Sequence, residues 1–298
     1  MNKVVGDKAL ANDFFGRFRE IISDPLNLLI DKVPFAGTIQ NGYVVLHNGN
    51  LVPAQGPYSY YEDFSKILII NRGVHEPLEE FVFQELLKKI AHSSPIMIEL
   101  GAYWGHYSMW LKKKIPSSKC ILVEPELINL QAGRLNFQLN GYTGEFINEM
   151  VSNNHFQIDR FLIERGIHKL DILHSDIQGF EMEMLLGAKN SLQKKIIDYA
   201  FISTHSQKLH HEVENYLNDL GYRVEISSDV DFDTTSYDGL IFASSPNKQA
   251  LFKKFHPLGR EEITNSPTNS ILDYLHSLKK NGLVARARAA LGKMIVNC

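Results

Sequence analysis

Residues 98–110 read IELGAYWGHYSMW: an apolar run that closes on Gly101, a second glycine at position 105, then a pattern with helical spacing. Glycine at a strand-to-helix turn lets the chain reverse tightly and lets a ligand come close to the backbone. Such a turn belongs to an open α/β sheet, whose ligand sits at the carboxyl ends of the strands.

The same alternation continues on both sides. PIMIEL (95–100), CILVE (120–124), GEFINEMV (144–151), LDILHSD (170–176), YAFIST (199–204), YRVEIS (222–227) and GLIFAS (239–244) are candidate strands. HYSMWLKKK, ELINLQAGRLNFQLN, FQIDRFLIERG, EMEMLLGAKNSLQK and KLHHEVENYLNDLG are helical stretches between most of them. Repeats of this length argue for a mostly parallel α/β sheet with helices on both faces. YRVEIS and GLIFAS are joined by SDVDFDTTSYD, which has no helical signal, so they read as a C-terminal antiparallel β hairpin. Seven strands ending this way describe the Rossmann-like class I methyltransferase sheet better than a six-stranded dinucleotide fold.

Three regions follow: an accessory or lid region over 1–74, the α/β core over 75–245, and a basic helical tail over 246–298. The first holds two further candidate strands, YVVLH (43–47) and KILII (66–70), around the aromatic cluster PYSYYEDF, whose tyrosines could stack on sugar rings. The tail carries nine Lys or Arg against three acids, a solvated face or a surface for an acidic partner. LANDFFGRFREIISDPLNLLIDKV is amphipathic and broken by Pro25, which suits a packing helix pair, and helices at either terminus could support a homo-oligomer.

Composition excludes several classes. With 31 Lys plus Arg against 34 Asp plus Glu, the net charge of -3 gives no signature for nucleic acid. Two cysteines, Cys120 and Cys298, make neither a disulfide framework nor a zinc motif and fit a reducing compartment. No signal-peptide core and no long apolar span is present, so the expectation is a soluble, cytoplasmic protein.

The glycine turn narrows the cofactor. A G-x-G-x-x-G dinucleotide pattern needs glycine at 103 and 106, where this chain has Tyr103 and His106. S-adenosylmethionine carries no phosphate and needs only the close glycine approach. The next strand ends in VEPE, placing Glu124 and Pro125 nineteen and twenty positions after Gly105, where a carboxylate can accept both ribose hydroxyls. DVDFD opens like a calcium loop, but Thr234 stands where the loop glycine belongs, which excludes an EF-hand.

EPLEE (76–80), IELGAYWGHYS, VEPE, LNFQLNG (135–141) and DIQGFEMEMLLGA (176–188), in this order and spacing, resemble the FkbM-type methyltransferases over roughly residues 75–245. The resemblance implies an S-adenosylmethionine-dependent enzyme that O-methylates hydroxyls of sugars, glycans or other small natural products. It also implies cofactor contacts from Glu76, Glu99, Gly101, Ala102, Tyr103, Gly105, Glu124, Pro125 and Asp176. Three positions depart from the family pattern: Glu99 replaces an aspartate, Tyr103 an asparagine, and Gln178 a glutamate.

The fourth strand of the core ends at Asp176, the fifth at Thr204 and His205, and an antiparallel last strand beside the fifth would return Asp238 to the same rim. His174 lies on the face of Asp176 with period two, and Glu181 opens the following helix. Two chemistries suit that convergence. His205 takes the acceptor proton while Asp176 orients it, or Asp176, His205 and Asp238 hold Mg2+ or another divalent cation that acidifies the hydroxyl. His210 and His211 read as surface residues of the next helix. Competing readings are a nucleotide-dependent oxidoreductase and a non-catalytic assembly module of the same fold.

Overall fold

The computed structural model describes residues 16–60, 65–152, 154–253 and 255–279. Expectations resting on residues 1–15, on Tyr61 and on the tail from 280 onward, including Cys298, lie outside the described residues. Seven strands form the main sheet: β4 (Ile96–Leu100), β5 (Lys119–Val123), β6 (Glu145–Ile147), β7 (Leu170–Ser175), β8 (Ile197–Thr204), β9 (Arg223–Ser228) and β10 (Gly239–Ser244). Their order is β6-β5-β4-β7-β8-β10-β9. The first five pair in parallel, and β10 runs antiparallel between β8 and β9, with Gly239 opposite Thr204.

Each central strand feeds two cores. Met97, Ile172, Tyr199, Phe201 and Phe242 join the cluster on one face, while Ile98, Leu173, Ala200, Ile202 and Ile241 join that on the other. This is period-two geometry with both faces covered, and it explains why β8 is buried along its whole length. The first cluster also takes in Ile21, Leu26, Val44, Leu46 and Val52, so residues before 75 pack into the same core as the sheet.

Those N-terminal residues form a three-stranded antiparallel sheet of β1 (Ile39–Gln40), β2 (Tyr43–Val45) and β3 (Leu51–Pro53). Asn140, after the Leu127–Leu139 helix, holds β3 like a neighbouring strand: its Oδ1 accepts from Leu51 N and its Nδ2 donates to Leu51 O, both at 2.8 Å. KILII is not a strand. Ser65–Ile70 is a helix, with Ile67 and Leu68 buried and Ile69 and Ile70 facing outward, a grouping that alternation cannot produce. The β-branched composition misled because a short apolar run does not reveal its period. GEFINEMV pairs only over Glu145–Ile147, and Val151 makes a single bridge to Phe156.

The turn after β4 is fixed by a steric demand. Gly101 has φ +66°, and a Cβ there would stand 1.6 Å from the carbonyl oxygen of Asp176. The approach comes from the ladder itself, since Asp176 N donates to Leu100 O at 3.0 Å. Gly101→Ala would combine left-handed strain with a backbone clash and is expected to cost about 2–5 kcal/mol. Urea unfolding of the variant measures this, and a loss under about 1 kcal/mol would show that the turn relaxes freely.

Candidate active site

The glycine turn is a lattice of backbone hydrogen bonds held by two glutamates. Gly101 N and Ala102 N donate to Val123 O at 2.9 and 3.1 Å. Glu124 Oε2 accepts from Tyr103 N at 3.0 Å and its Oε1 from Glu126 N at 2.9 Å, so this carboxylate braces the turn. Glu99 Oε2 accepts from Ser108 N at 3.0 Å, capping the His106–Lys114 helix, whose N-cap residue Gly105 has no side chain to do so. Burial raises both carboxyls above their ordinary range. Tyr103 sits at φ +42°, a conformation asparagine tolerates better than tyrosine.

A cavity of about 290 Å³ opens over this turn. Glu76, Glu99, Glu124 and Asp176 bring carboxylates to it, and Pro125, Met150, Val151, Ile177 and Phe180 bring apolar surface. Glu76, just before the Pro77–Ile90 helix, accepts from the Tyr107 hydroxyl at 2.8 Å. Burial, with the charges of Glu79, Asp176 and Asp238 nearby, pushes its carboxyl up to about 8, although His75 opposes the shift. A pocket of this kind favours a cation and disfavours a polyanion. Tyr60 also lines the cavity, but its ring packs against Trp104 at 4.8 Å and His75 at 5.2 Å, which limits the face left for a sugar.

Beside the cavity the ends of three strands converge. His205 Nε2 lies 3.1 Å from Asp176 Oδ1 and 3.4 Å from Asp238 Oδ1, and His205 Nδ1 lies 2.7 Å from Glu181 Oε1. Glu181 is wholly buried and also accepts from Gly179 N at 3.1 Å. Burial opposes charge on the imidazole, but contact with Asp176 and Glu181 and the nearby Asp238 carry it up to about 10. Asp238 is pushed up to about 7, by burial first and by Asp176 next, against the pull of His205. Gln178 Nε2 donates to Asp176 Oδ1 at 2.9 Å, a bond an ionised glutamate there could not give.

His174 does not partner Asp176. Its Nε2 meets Glu79 Oε1 at 2.6 Å, and Glu79 Oε2 accepts from the Ser203 hydroxyl at 3.4 Å. Burial works against this histidine, yet Glu79 raises it to about 9. Sequence reasoning missed Glu79 and Glu80, although EPLEE placed 76, 79 and 80 at the i, i+3, i+4 spacing of one helix face. His210 is not a surface residue: it is 1% exposed and contacts Thr204 Oγ1 at 2.8 Å and Ser227 Oγ at 2.9 Å. Asp229 of DVDFD turns back on its own loop and accepts from Phe232 N and Asp233 N.

A seven-stranded sheet in this order, with the glycine turn after β4 and an acid closing β5, defines a methyltransferase that depends on S-adenosylmethionine. The family described as the methyltransferase FkbM domain matches residues 76–224, half of the chain, and the chain belongs to that family. None of the curated proteins matches it. Similar solved structures include precorrin-6y C5,15-methyltransferase from Geobacter metallireducens, at 12% identity over 56% of this chain and 88% of that one, TM-score 0.41. Ribosomal protein L11 methylase from Lactobacillus delbrueckii subsp. bulgaricus shares 12% over 57% and 80%, TM-score 0.41. TrmK of M. capricolum, in complex with S-adenosyl-homocysteine, shares 16% over 66% and 83%, TM-score 0.38. Among the described residues no helix is long and apolar enough to cross a membrane.

The paired histidines make stability depend on pH with a definite sign. His174 at about 9 and His205 at about 10 lie above the ordinary imidazole value of 6.5, so their contribution is complete below 6.5 and is lost as pH rises through 9 and 10. Glu76, raised from 4.5 to about 8, acts in the same direction over its own window. The thermal midpoint is expected to fall between pH 6.5 and 10, and Glu79→Gln to flatten the part of the slope near pH 9. A calorimetric series with no slope in that window would contradict the pairing.

Proposed function

We propose that the protein transfers a methyl group from S-adenosylmethionine to a hydroxyl of a small polyhydroxylated acceptor, such as a sugar, a glycan terminus or a natural product. The observation that carries this reading is the convergence of Asp176, His205 and Asp238, with one ligand-type atom from each within 4.8 Å, beside a carboxylate-lined cavity. S-adenosylmethionine, when bound, supplies a methyl group made electrophilic by its sulfonium. The turn through Gly101, Ala102 and Tyr103 gives the cavity its backbone wall, while Gly105 faces away from it against Leu122 and Phe137. The Glu124 carboxylate, with about four acceptor positions, keeps room beyond the N–H groups it already holds for a ribose hydroxyl, with Pro125 beside it. Glu76, Glu99 and Asp176 bring carboxyl groups around a cationic ligand, whose charge would favour ionising the two glutamates that burial holds back. A pyrophosphate would meet these carboxyl groups and no lysine or arginine among the described residues of the lining, which counts against the oxidoreductase reading.

Methyl transfer needs an aligned hydroxyl and somewhere for its proton to go. With His205 raised to about 10, its imidazole is already protonated near neutrality and serves as a fixed positive charge, oriented through Glu181. The proton acceptor is then Asp238, whose carboxyl is pushed up to about 7 by burial and by Asp176. A second reading has its own support. His205 Nε2 is buried and makes no hydrogen bond despite two carboxylate oxygens close by, while Glu181 fixes Nδ1, the arrangement behind a metal-ligating histidine. Asp176, His205 and Asp238 would hold a divalent cation there, which would lower the hydroxyl pKa.

Calorimetric titration is expected to show binding of S-adenosylmethionine and none of NAD; the reverse result would sink the proposal. With hydroxylated acceptors and a readout of S-adenosylhomocysteine release, Asp238→Asn is expected to lower turnover about 10²- to 10⁴-fold while cofactor affinity stays within a few-fold. Loss of activity on chelation, restored by Mg2+, selects the cation form, and indifference to chelator selects Asp238 as base. Unchanged biological function in Asp176→Ala and His205→Ala would instead favour the assembly module.

A further inference from the structure

A second cluster lies behind the wall of the cavity, reaching it only through His106, and takes no part in the chemistry above. His47 follows β2, Glu80 sits in the Pro77–Ile90 helix, and His106 is the first residue of the next helix. Their exposures are 0%, 0% and 2%. One ligand-type atom from each lies within 4.8 Å of the others. Both ring nitrogens of His47, both of His106 and Glu80 Oε2 are buried without a hydrogen-bond partner among the described residues.

That pattern argues against a simple hydrogen-bonded network. His47 Nε2 stands 2.9 Å from Glu80 Oε2, close enough to bond, yet neither atom has bonding geometry toward a partner. Glu80 Oε1 accepts instead from the backbone of His75 at 2.8 Å and of Glu76 at 3.2 Å, with the His75 imidazole 2.7 Å away, and this fixes the carboxylate with Oε2 beside His47 and Oε1 3.8 Å from His106 Nε2. Around them, the Trp110 ring meets His47 edge-on at 4.3 Å and Trp104 stacks on His106 at 5.0 Å. The hydrogen bonds that orient the Glu80 carboxylate and the aromatic rings around the two imidazoles are features of a buried metal site.

We propose that His47, Glu80 and His106 bind a divalent transition metal ion, zinc in the first instance. Two imidazoles and a carboxylate are a known zinc donor set, and this mix of nitrogen and oxygen is poorly suited to Mg2+ or Ca2+. The ion ties the three-stranded sheet to the two helices that flank the cavity. The proposal stands whether or not the methyl-transfer reading is right.

The test uses the full chain carrying Asp176→Asn and Asp238→Asn, so that the other cluster cannot contribute. After expression in zinc-supplemented medium and exhaustive dialysis, mass spectrometry of metal content is expected to find about one zinc per chain. Stripping the ion should lower the thermal midpoint by about 5 °C or more, restored by Zn2+ alone. Replacement by Co2+ should give the visible d–d absorption of four-coordinate cobalt, lost in His47→Gln and His106→Gln. Because the cobalt spectrum is read first on a chain with all three ligands intact, a misfolded histidine variant does not obscure it. No saturable zinc uptake by the stripped chain, or cobalt bands that survive both histidine substitutions, overturns the assignment.

Discussion

The carbonyl oxygen of Asp176 fills the space where any residue other than glycine at 101 would carry its side chain. This single approach locks the turn after β4 against the end of β7, the two places that wall the carboxylate-lined cavity. The rest of the site is arranged around it. Glu124 braces the turn from β5, Glu99 caps the helix that leaves it, and Gln178 and His205 settle on the Asp176 side chain as it emerges. Asp176 thus contributes through its backbone before its carboxylate.

Charge is the second organising constraint. Glu76, Glu79, Glu80, Glu99, Glu181 and Asp238 come together in a small volume, and no lysine or arginine is paired with them among the described residues. Histidines hold the balance: His47 and His75 against Glu80, His174 against Glu79, His205 against Glu181 and Asp176. An imidazole can be charged, neutral or a ligand, so the same side chains fit a free and a loaded pocket without repacking. A guanidinium would have fixed the charge permanently.

Much of the fold was legible in the sequence because the strands are short, apolar and bounded by turn residues, and because SDVDFDTTSYD offered no helix between the last two. The pairing of β10 with β8 follows from that observation and a topology rule, and it brings Asp238 to His205. What stayed hidden were partnerships across elements. Nothing local to HSD shows that His174 faces Glu79 on another helix, and nothing near YVVLH shows that His47 meets Glu80. KILII failed for a different reason, since four consecutive apolar residues carry no readable period. His210 looked exposed on a polar helix because its partners, Thr204 and Ser227, come from two strands.

The position of β10 has a consequence for synthesis. It is the last strand of the sheet to leave the ribosome, yet it lies inside, between β8 and β9. Until residues 239–244 emerge, β8 presents an open edge of unpaired backbone along a largely apolar strand that the finished fold buries end to end. At translation rates of about 5–20 residues per second, the interval from the end of β8 to the end of β10 lasts roughly 2–8 s. For that time the nascent chain carries the kind of surface that chaperones bind, and the strand that closes it also delivers Asp238.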